Sequence, residues 1–187
     1  METFQIIQLV VFVLGTTFLL IISKKSLSNQ RVHGFYRFFV FEFTFILILL
    51  NLPYWIKQPL SVHQIISWCL LVISIYYVSA SFYLLTKIGG SNKRKGESAN
   101  FKFENTANLV KDGVYKYIRH PMYSSLLFLS LGAMFKNISI FTILLEVLIL
   151  LFLFLTAKFE EKENLEFFGE AYGEYMKETK MFIPFIF

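Results

Sequence analysis

The sequence predicts an all-α fold: an integral membrane bundle of five transmembrane helices, the last two a helical hairpin, with a C-terminal amphipathic surface helix. Three observations predict it. The chain is 56% hydrophobic, with 23 phenylalanines among 187 residues, more apolar surface than a soluble domain of this length can bury. Five apolar stretches approach the roughly 20 residues a helix needs to cross about 30 Å of hydrocarbon. Lysines and arginines collect in alternate connections, the pattern that fixes topology in a bilayer.

The first apolar stretch covers residues 4–22. Glu2 precedes it, no basic residue does, and no small-residue cleavage site follows, so it reads as a retained span rather than a signal peptide. The second and third stretches cover 35–56 and 63–86. Cys69, the single cysteine, lies in the third, which excludes disulfides and cysteine-rich metal sites and predicts a packed thiol. The fourth, 121–135, is short, and only Lys136-Asn137 separates it from the fifth, 138–157. These two form the hairpin, its tip at the far interface. From Lys158 to Lys180, Leu165, Phe168, Tyr172, Tyr175 and Met176 recur at helical spacing, with Glu163, Glu166, Glu170, Glu174 and Glu178 between them. That pattern predicts an amphipathic helix resting on the membrane surface. The apolar tail from Met181 to Phe187 would tuck back into the interface.

Orientation follows from the basic residues. Lys24, Lys25, Arg31 and Arg37 follow the first span; eight from Lys87 to Arg119 follow the third; Lys158, Lys162, Lys177 and Lys180 follow the fifth. Only Lys57 and Lys136 fall on the other side. The N-terminus is therefore expected outside and the C-terminus in the cytoplasm. The net charge of +5 needs no nucleic acid, because a cluster such as Asn92-Lys93-Arg94-Lys95 serves topology beside anionic headgroups. Residues 1–187 form a single transmembrane domain without internal repeats, and 89–108 form one long polar loop of the kind that acts as a lid.

The run from Gly113 to Tyr123 (Gly-Val-Tyr-Lys-Tyr-Ile-Arg-His-Pro-Met-Tyr) is the most informative part of the chain. Pro121 suits the first turn of a helix, where its missing N–H costs nothing. Arg119 and His120 then stand at a helix N-terminus, which attracts anions. Arg119 adds a planar fork matched to carboxylate or phosphate, and Tyr115, Tyr117 and Tyr123 add aromatic faces. An arginine snorkelling to headgroups beside interfacial tyrosines is the plainer reading. Glu160 and Glu161 end the next span on the same side, so arginine, histidine and two carboxylates converge at one surface. Glu42 and Glu146 lie inside spans. Fourteen residues, about 21 Å of helix, keep Glu146 away from Glu160. Interhelical hydrogen bonding is its simpler role, and lining a lipid-substrate cavity or proton path the sharper one.

The run Leu109-Val110-x-x-Gly113-x-Tyr115-x-x-x-Arg119-His120-Pro121-x-Tyr123, then Glu160-Glu161 and Phe168-Gly169-x-x-Tyr172-x-x-Tyr175, resembles the isoprenylcysteine carboxyl methyltransferases. The wider group includes the phospholipid N-methyltransferases. The resemblance covers residues 107–184 and implies a methyltransferase-like cofactor-binding region there. It implies an S-adenosylmethionine-dependent enzyme with its pocket at the cytoplasmic face and a carboxylate, thiol or amine as methyl acceptor. Carried over by motif, Asn108, Leu109, Val110, Tyr115, His120, Pro121, Met122, Tyr123 and Glu160 would bind the cofactor, with Ala107 beside them. Arg119, His120 and Glu161 would be the catalytic groups, and His120 or Glu161 the base for an amine. The partners implied are membrane lipid and a lipophilic or small-molecule acceptor, with no nucleic acid and no metal.

Two positions depart from the pattern. The family often has a histidine just before its Leu-Val pair, where this chain has Ala107-Asn108. Prenylcysteine-type enzymes carry an arginine four residues before the glutamate that matches Glu160; here that position is Thr156, with Lys158 nearby. Two alternatives remain: a membrane reductase of sterol-reductase type using NADPH, and a non-catalytic lipid-binding or transport accessory subunit.

Overall fold

A computed structural model describes residues 3–90 and 106–186. The Asn92–Lys95 cluster and most of the polar loop expected as a lid lie outside these residues. Within the described residues six α-helices follow in order: α1 (Thr3–Leu27), α2 (His33–Asn51), α3 (Val62–Leu84), α4 (Pro121–Met134), α5 (Ile140–Phe168) and α6 (Glu170–Glu178). Among the described residues no strand forms, only one parallel bridge between Ile118 and Lys180.

Successive helices α1–α5 alternate in direction. At one end of the bundle, Gln8 on α1 donates to the Leu49 carbonyl at 2.9 Å, and Asn51 after α2 donates to Ala133 O on α4 at 2.7 Å. At the other end, His33 opens α2 against Glu163 near the end of α5, Nδ1 to Oε2 being 2.7 Å. The His33 backbone N–H also donates to Glu163 Oε1 at 2.8 Å, so this carboxylate caps α2 from another helix.

Apolar helices gain little from burying one another in lipid, so small residues and hydroxyls hold the seams. Ser67 and Ser74 on α3 donate to the Gly132 and Ser125 carbonyls of α4 at 2.6 and 2.7 Å. A Cβ on Gly132 would stand 2.9 Å from the Leu71 side chain and 3.3 Å from the Ser67 carbonyl, so only glycine allows this approach. Aromatic contacts join α2 to α5, with Tyr36 stacked on Phe159 at 4.5 Å and Phe39 on Phe152 at 4.7 Å. Both carboxylates inside spans bond across helices: Glu42 Oε1 accepts from Thr16 at 2.7 Å and Glu146 Oε1 from Ser130 at 2.9 Å.

Several expectations change. Among the described residues four helices are long and apolar enough to cross a membrane, whereas α4, at 14 residues, is shorter. The α4–α5 pair joined by a tight turn packs less on itself than on its neighbours: α4 lies chiefly against α3, and α5 against α2. Helix α5 runs through Phe168, well past residue 157. A Ser139/Thr142 capping box starts it, and neither proline nor glycine interrupts it before Gly169. Gly169, at φ 60°, breaks the expected Lys158–Lys180 helix. Consequently α6 turns back, burying Tyr172 and Tyr175 in protein. Cys69 is exposed on α3, not packed.

Candidate active site

Four pieces of chain meet where α4 begins and α5 ends. The last turn of α3 widens into a π-helix, Leu85–Gly89, a local distortion common at functional sites. Gly89 O accepts the N–H groups of Ala107 and Asn108 at 2.8 and 2.9 Å, which returns the chain to α3. A Cβ on Gly89 would lie 2.5 Å from Thr106, so the contact requires glycine. A 3₁₀ turn, Gly113–Lys116, then points Tyr115 inward, buried. The C-terminal segment is sewn beside it. Arg119 N–H donates to Lys180 O at 2.9 Å, His120 N–H to Met181 O at 3.2 Å, and Ser124 Oγ to Phe182 O at 2.6 Å. The Tyr175 hydroxyl donates to Tyr115 O at 2.6 Å.

These pieces enclose about 80 Å³ behind an open mouth. Leu85, Leu109, Val110, Tyr115, Met122, Tyr123 and Phe168 supply apolar and aromatic walls. Thr106, Arg119, His120, Glu160, Asn164 and Tyr172 supply polar groups. The His120 ring stacks on Tyr123, centroids 5.3 Å apart and 14° from parallel. Its Nδ1 faces Glu160 Oε2 at 3.8 Å, and its Nε2 stands 3.5 Å from Glu161 Oε1.

The two adjacent glutamates have different surroundings. The Glu160 side chain is 26% exposed and faces the cavity. The Glu161 side chain is 4% exposed and bonds Arg119 Nε, while Lys158 Nζ reaches its other oxygen at 3.0 Å. Arg119 also donates to Thr179 O at 2.7 Å. Glu161 and Arg119 therefore form a strut between α5, the entry to α4 and the C-terminal segment. Burial, and then the Glu160 charge, hold the Tyr172 phenol well above the usual tyrosine range, so it stays protonated. Burial likewise raises Tyr175, opposed by Arg119.

A family model described as phospholipid methyltransferase matches residues 62–175, more than half of the chain. The chain belongs to this family. It is 34% identical over 79 residues to the protein-S-isoprenylcysteine O-methyltransferase of Schizosaccharomyces pombe, covering 42% of this chain and 34% of that protein. It is 33% identical over 86 residues to the protein of the same name from Saccharomyces cerevisiae, covering 46% of this chain and 36% of that one. The matched stretches thus span about a third of the length of these curated relatives. No solved structure matches. Family membership and four apolar helices make this a multi-pass membrane protein.

Of the residues that the resemblance to this family singles out, Leu109, Val110, Tyr115, Arg119, His120, Met122, Tyr123 and Glu160 line the cavity. Asn108, Pro121 and Glu161 are not among its lining residues. Asn108 is exposed and its side-chain amide bonds Ile88 O at 3.2 Å; Pro121 is buried as the first residue of α4. Sequence reasoning missed Leu85, Thr106, Asn164, Phe168 and Tyr172 as wall residues. The glycine at 169, next to Phe168, was the available sign that the chain turns there.

Proposed function

We propose that this protein is an S-adenosylmethionine-dependent methyltransferase that methylates a lipophilic acceptor at the membrane surface. One observation carries the reading: the start of α4 and the end of α5 share a cavity in which His120, Arg119 and Glu160 meet a wall of aromatic and branched side chains. The donor set fits this cofactor. An anionic acceptor suits ribose hydroxyls or an ammonium, a guanidinium beside a helix N-terminus suits a carboxylate, and aromatic faces suit adenine or a sulfonium. Glu160 and Asn164 would hold the ribose or ammonium end, Arg119 and His120 the carboxylate end, and Tyr115, Phe168 and Tyr172 the base. The enclosed 80 Å³ is below the roughly 300–1,000 Å³ of ordinary ligand pockets. The ligand's bulk would therefore extend through the mouth.

When bound, the cofactor supplies a methyl group on a positively charged sulfur. The protein's task is alignment and exclusion of water, which contributes roughly 7–11 kcal/mol in well-oriented reactions. Glu161 fixes Arg119 and helps set the His120 ring, so it acts as a positioning residue. A carboxylate or thiolate acceptor needs no base. For an amine, His120 is the ring available to take the proton.

The relatives' names point to a prenylated cysteine as acceptor, but the position of the family's acceptor-facing arginine argues for a different anchor. Thr156 is fully buried and its hydroxyl donates to Phe152 O at 2.7 Å. It offers no fork for a carboxylate. We further propose that α4, flanked by residues 119 and 137, completes five crossings, with the N-terminus outside and the cavity and C-terminus cytoplasmic. The basic residues at the cavity end support that orientation.

Calorimetric titration of the purified protein with S-adenosylhomocysteine tests the central claim. Saturable binding that His120→Ala and Glu160→Ala weaken is expected. Binding of NADPH with no binding of S-adenosylhomocysteine would overturn it in favour of a reductase.

A further inference from the structure

A second concavity lies on the other side of the cavity wall. At the end of α3, Leu84 faces it while Leu85 faces the cavity; in the 3₁₀ turn, Val114 and Lys116 face it while Tyr115 faces the cavity. It measures about 540 Å³ and is mainly apolar, with Tyr76, Tyr77, Tyr83 and Tyr117 along its sides and Pro184 closing one edge. Tyr77 is held in place by stacking on Phe128, 5.8 Å away and 7° from parallel. The outer rim is cationic. Lys116 lines it, and Lys87 Nζ bonds the Tyr83 hydroxyl at 2.8 Å.

The charge gradient identifies the occupant. From Tyr76 to Lys87 the α3 axis rises about 16 Å at 1.5 Å per residue, roughly one leaflet of a 30 Å hydrocarbon core. A groove walled by tyrosine rings, Ala80, Leu84, Val114 and Pro184, with lysines only at the end where α3 finishes, has the polarity profile of a phospholipid carrying negative charge. Tyrosines and lysines at an interface normally need no bound ligand to explain them. Here they surround a concavity with a rigid floor, large enough to take an acyl chain. We propose that this groove binds one acidic phospholipid, its phosphate between Lys87 and Lys116 and one chain along Tyr76, Tyr77 and Ala80. The lipid would press on Leu84 and the 3₁₀ turn, the outer face of the wall that carries Leu85 and Tyr115. This site does not depend on the methyltransferase reading.

The test is to purify the full chain from vesicles of phosphatidylcholine and phosphatidylglycerol and count retained lipids by native mass spectrometry. One retained phosphatidylglycerol, in preference to phosphatidylcholine, is expected. Lys87→Gln and Lys116→Gln should each weaken retention about fivefold, the ~1 kcal/mol typical of a basic residue beside an anionic lipid. Ala80→Trp should abolish it by filling the groove with the charges intact. Lys24→Gln with Lys25→Gln, on α1, should leave it unchanged. Equal retention of the two lipids would overturn the proposal, as would retention that survives the Lys87/Lys116 pair or that falls equally in the α1 control.

Discussion

Replacing each of the two adjacent glutamates by glutamine should give two different phenotypes. Glu161 is the buried partner of Arg119, and loss of one charge from such a pair costs about 3–5 kcal/mol because the other charge stays buried. Lys158 is 46% exposed and contributes at most about 1 kcal/mol. Glutamine keeps one oxygen for the guanidinium, which puts Glu161→Gln near the lower limit, about 3 kcal/mol. For a chain of 187 residues, where 1 kcal/mol moves the melting temperature about 2–4 °C, the fall is about 6–12 °C. Glu160 stands 3.8 Å from His120 with a partly solvated side chain, so Glu160→Gln should melt within about 3 °C of the parent. S-adenosylhomocysteine at 100 times its Kd stabilises the parent by about 2.7 kcal/mol, and Glu160→Gln should lose most of that increment. Thermal melts in detergent, with and without the ligand, measure both quantities. Parent-like melting of Glu161→Gln would refute the strut, and an undiminished ligand increment in Glu160→Gln would refute the cavity assignment.

Three further outcomes are expected. Gly132→Ala should destabilise the bundle by about 1–3 kcal/mol, since its methyl group meets Leu71 and the Ser67 carbonyl; a neutral result in a melt would show that α3 and α4 can separate freely there. Lys136 is buried, with Nζ 3.2 Å from the Trp68 centroid and 3.0 Å from Gln64 Oε1; Lys136→Ala should cost at least the ~2 kcal/mol of a desolvated cation–π contact, read as a melt lowered by several degrees. Tyr172 and Tyr175 both ionise above the ordinary 10.0 in the folded state. Their stabilising contribution is therefore complete below pH 10.0 and lost as pH rises through the higher folded values. Alkaline unfolding followed by circular dichroism should be shallower in the Tyr172→Phe/Tyr175→Phe double variant.

Hydropathy made the helical class legible because an apolar run long enough to cross lipid has few other uses. The starts of α3 and α4 were readable within a residue or two, the latter from Pro121 at the first helical position. Partner choice was not readable. That α4 prefers α3 depends on Gly132 meeting Leu71 across sixty residues of chain, and no periodicity encodes that. The C-terminal region misled for a definable reason. Leu165, Phe168, Tyr172 and Tyr175 keep helical spacing through Gly169, so the pattern looked like one continuous surface helix. The left-handed glycine instead redirects Tyr175 onto the 3₁₀ turn and Tyr172 into the cavity wall. Within the cavity, the motif residues drew attention to His120 and Glu160, while Thr106 and Asn164 had no neighbours in sequence that would single them out. The different surroundings of Glu160 and Glu161 follow from helix geometry: a 100° step per residue turns one toward the opening and the other toward Arg119.

The placement of Lys136 has a practical corollary for spectroscopy. Trp55 and Trp68, the only indoles in the chain, flank that ammonium at 5.2 and 3.2 Å to their centroids. Both therefore report on the rim remote from His120, with the length of α4, about 21 Å, in between. Tryptophan emission, excited apart from the tyrosines, does not sense direct contact with a nucleoside in the cavity. Any quenching or blue shift that accompanies a titration must be relayed mechanically along the helices, and its amplitude would measure how stiffly the two rims are coupled.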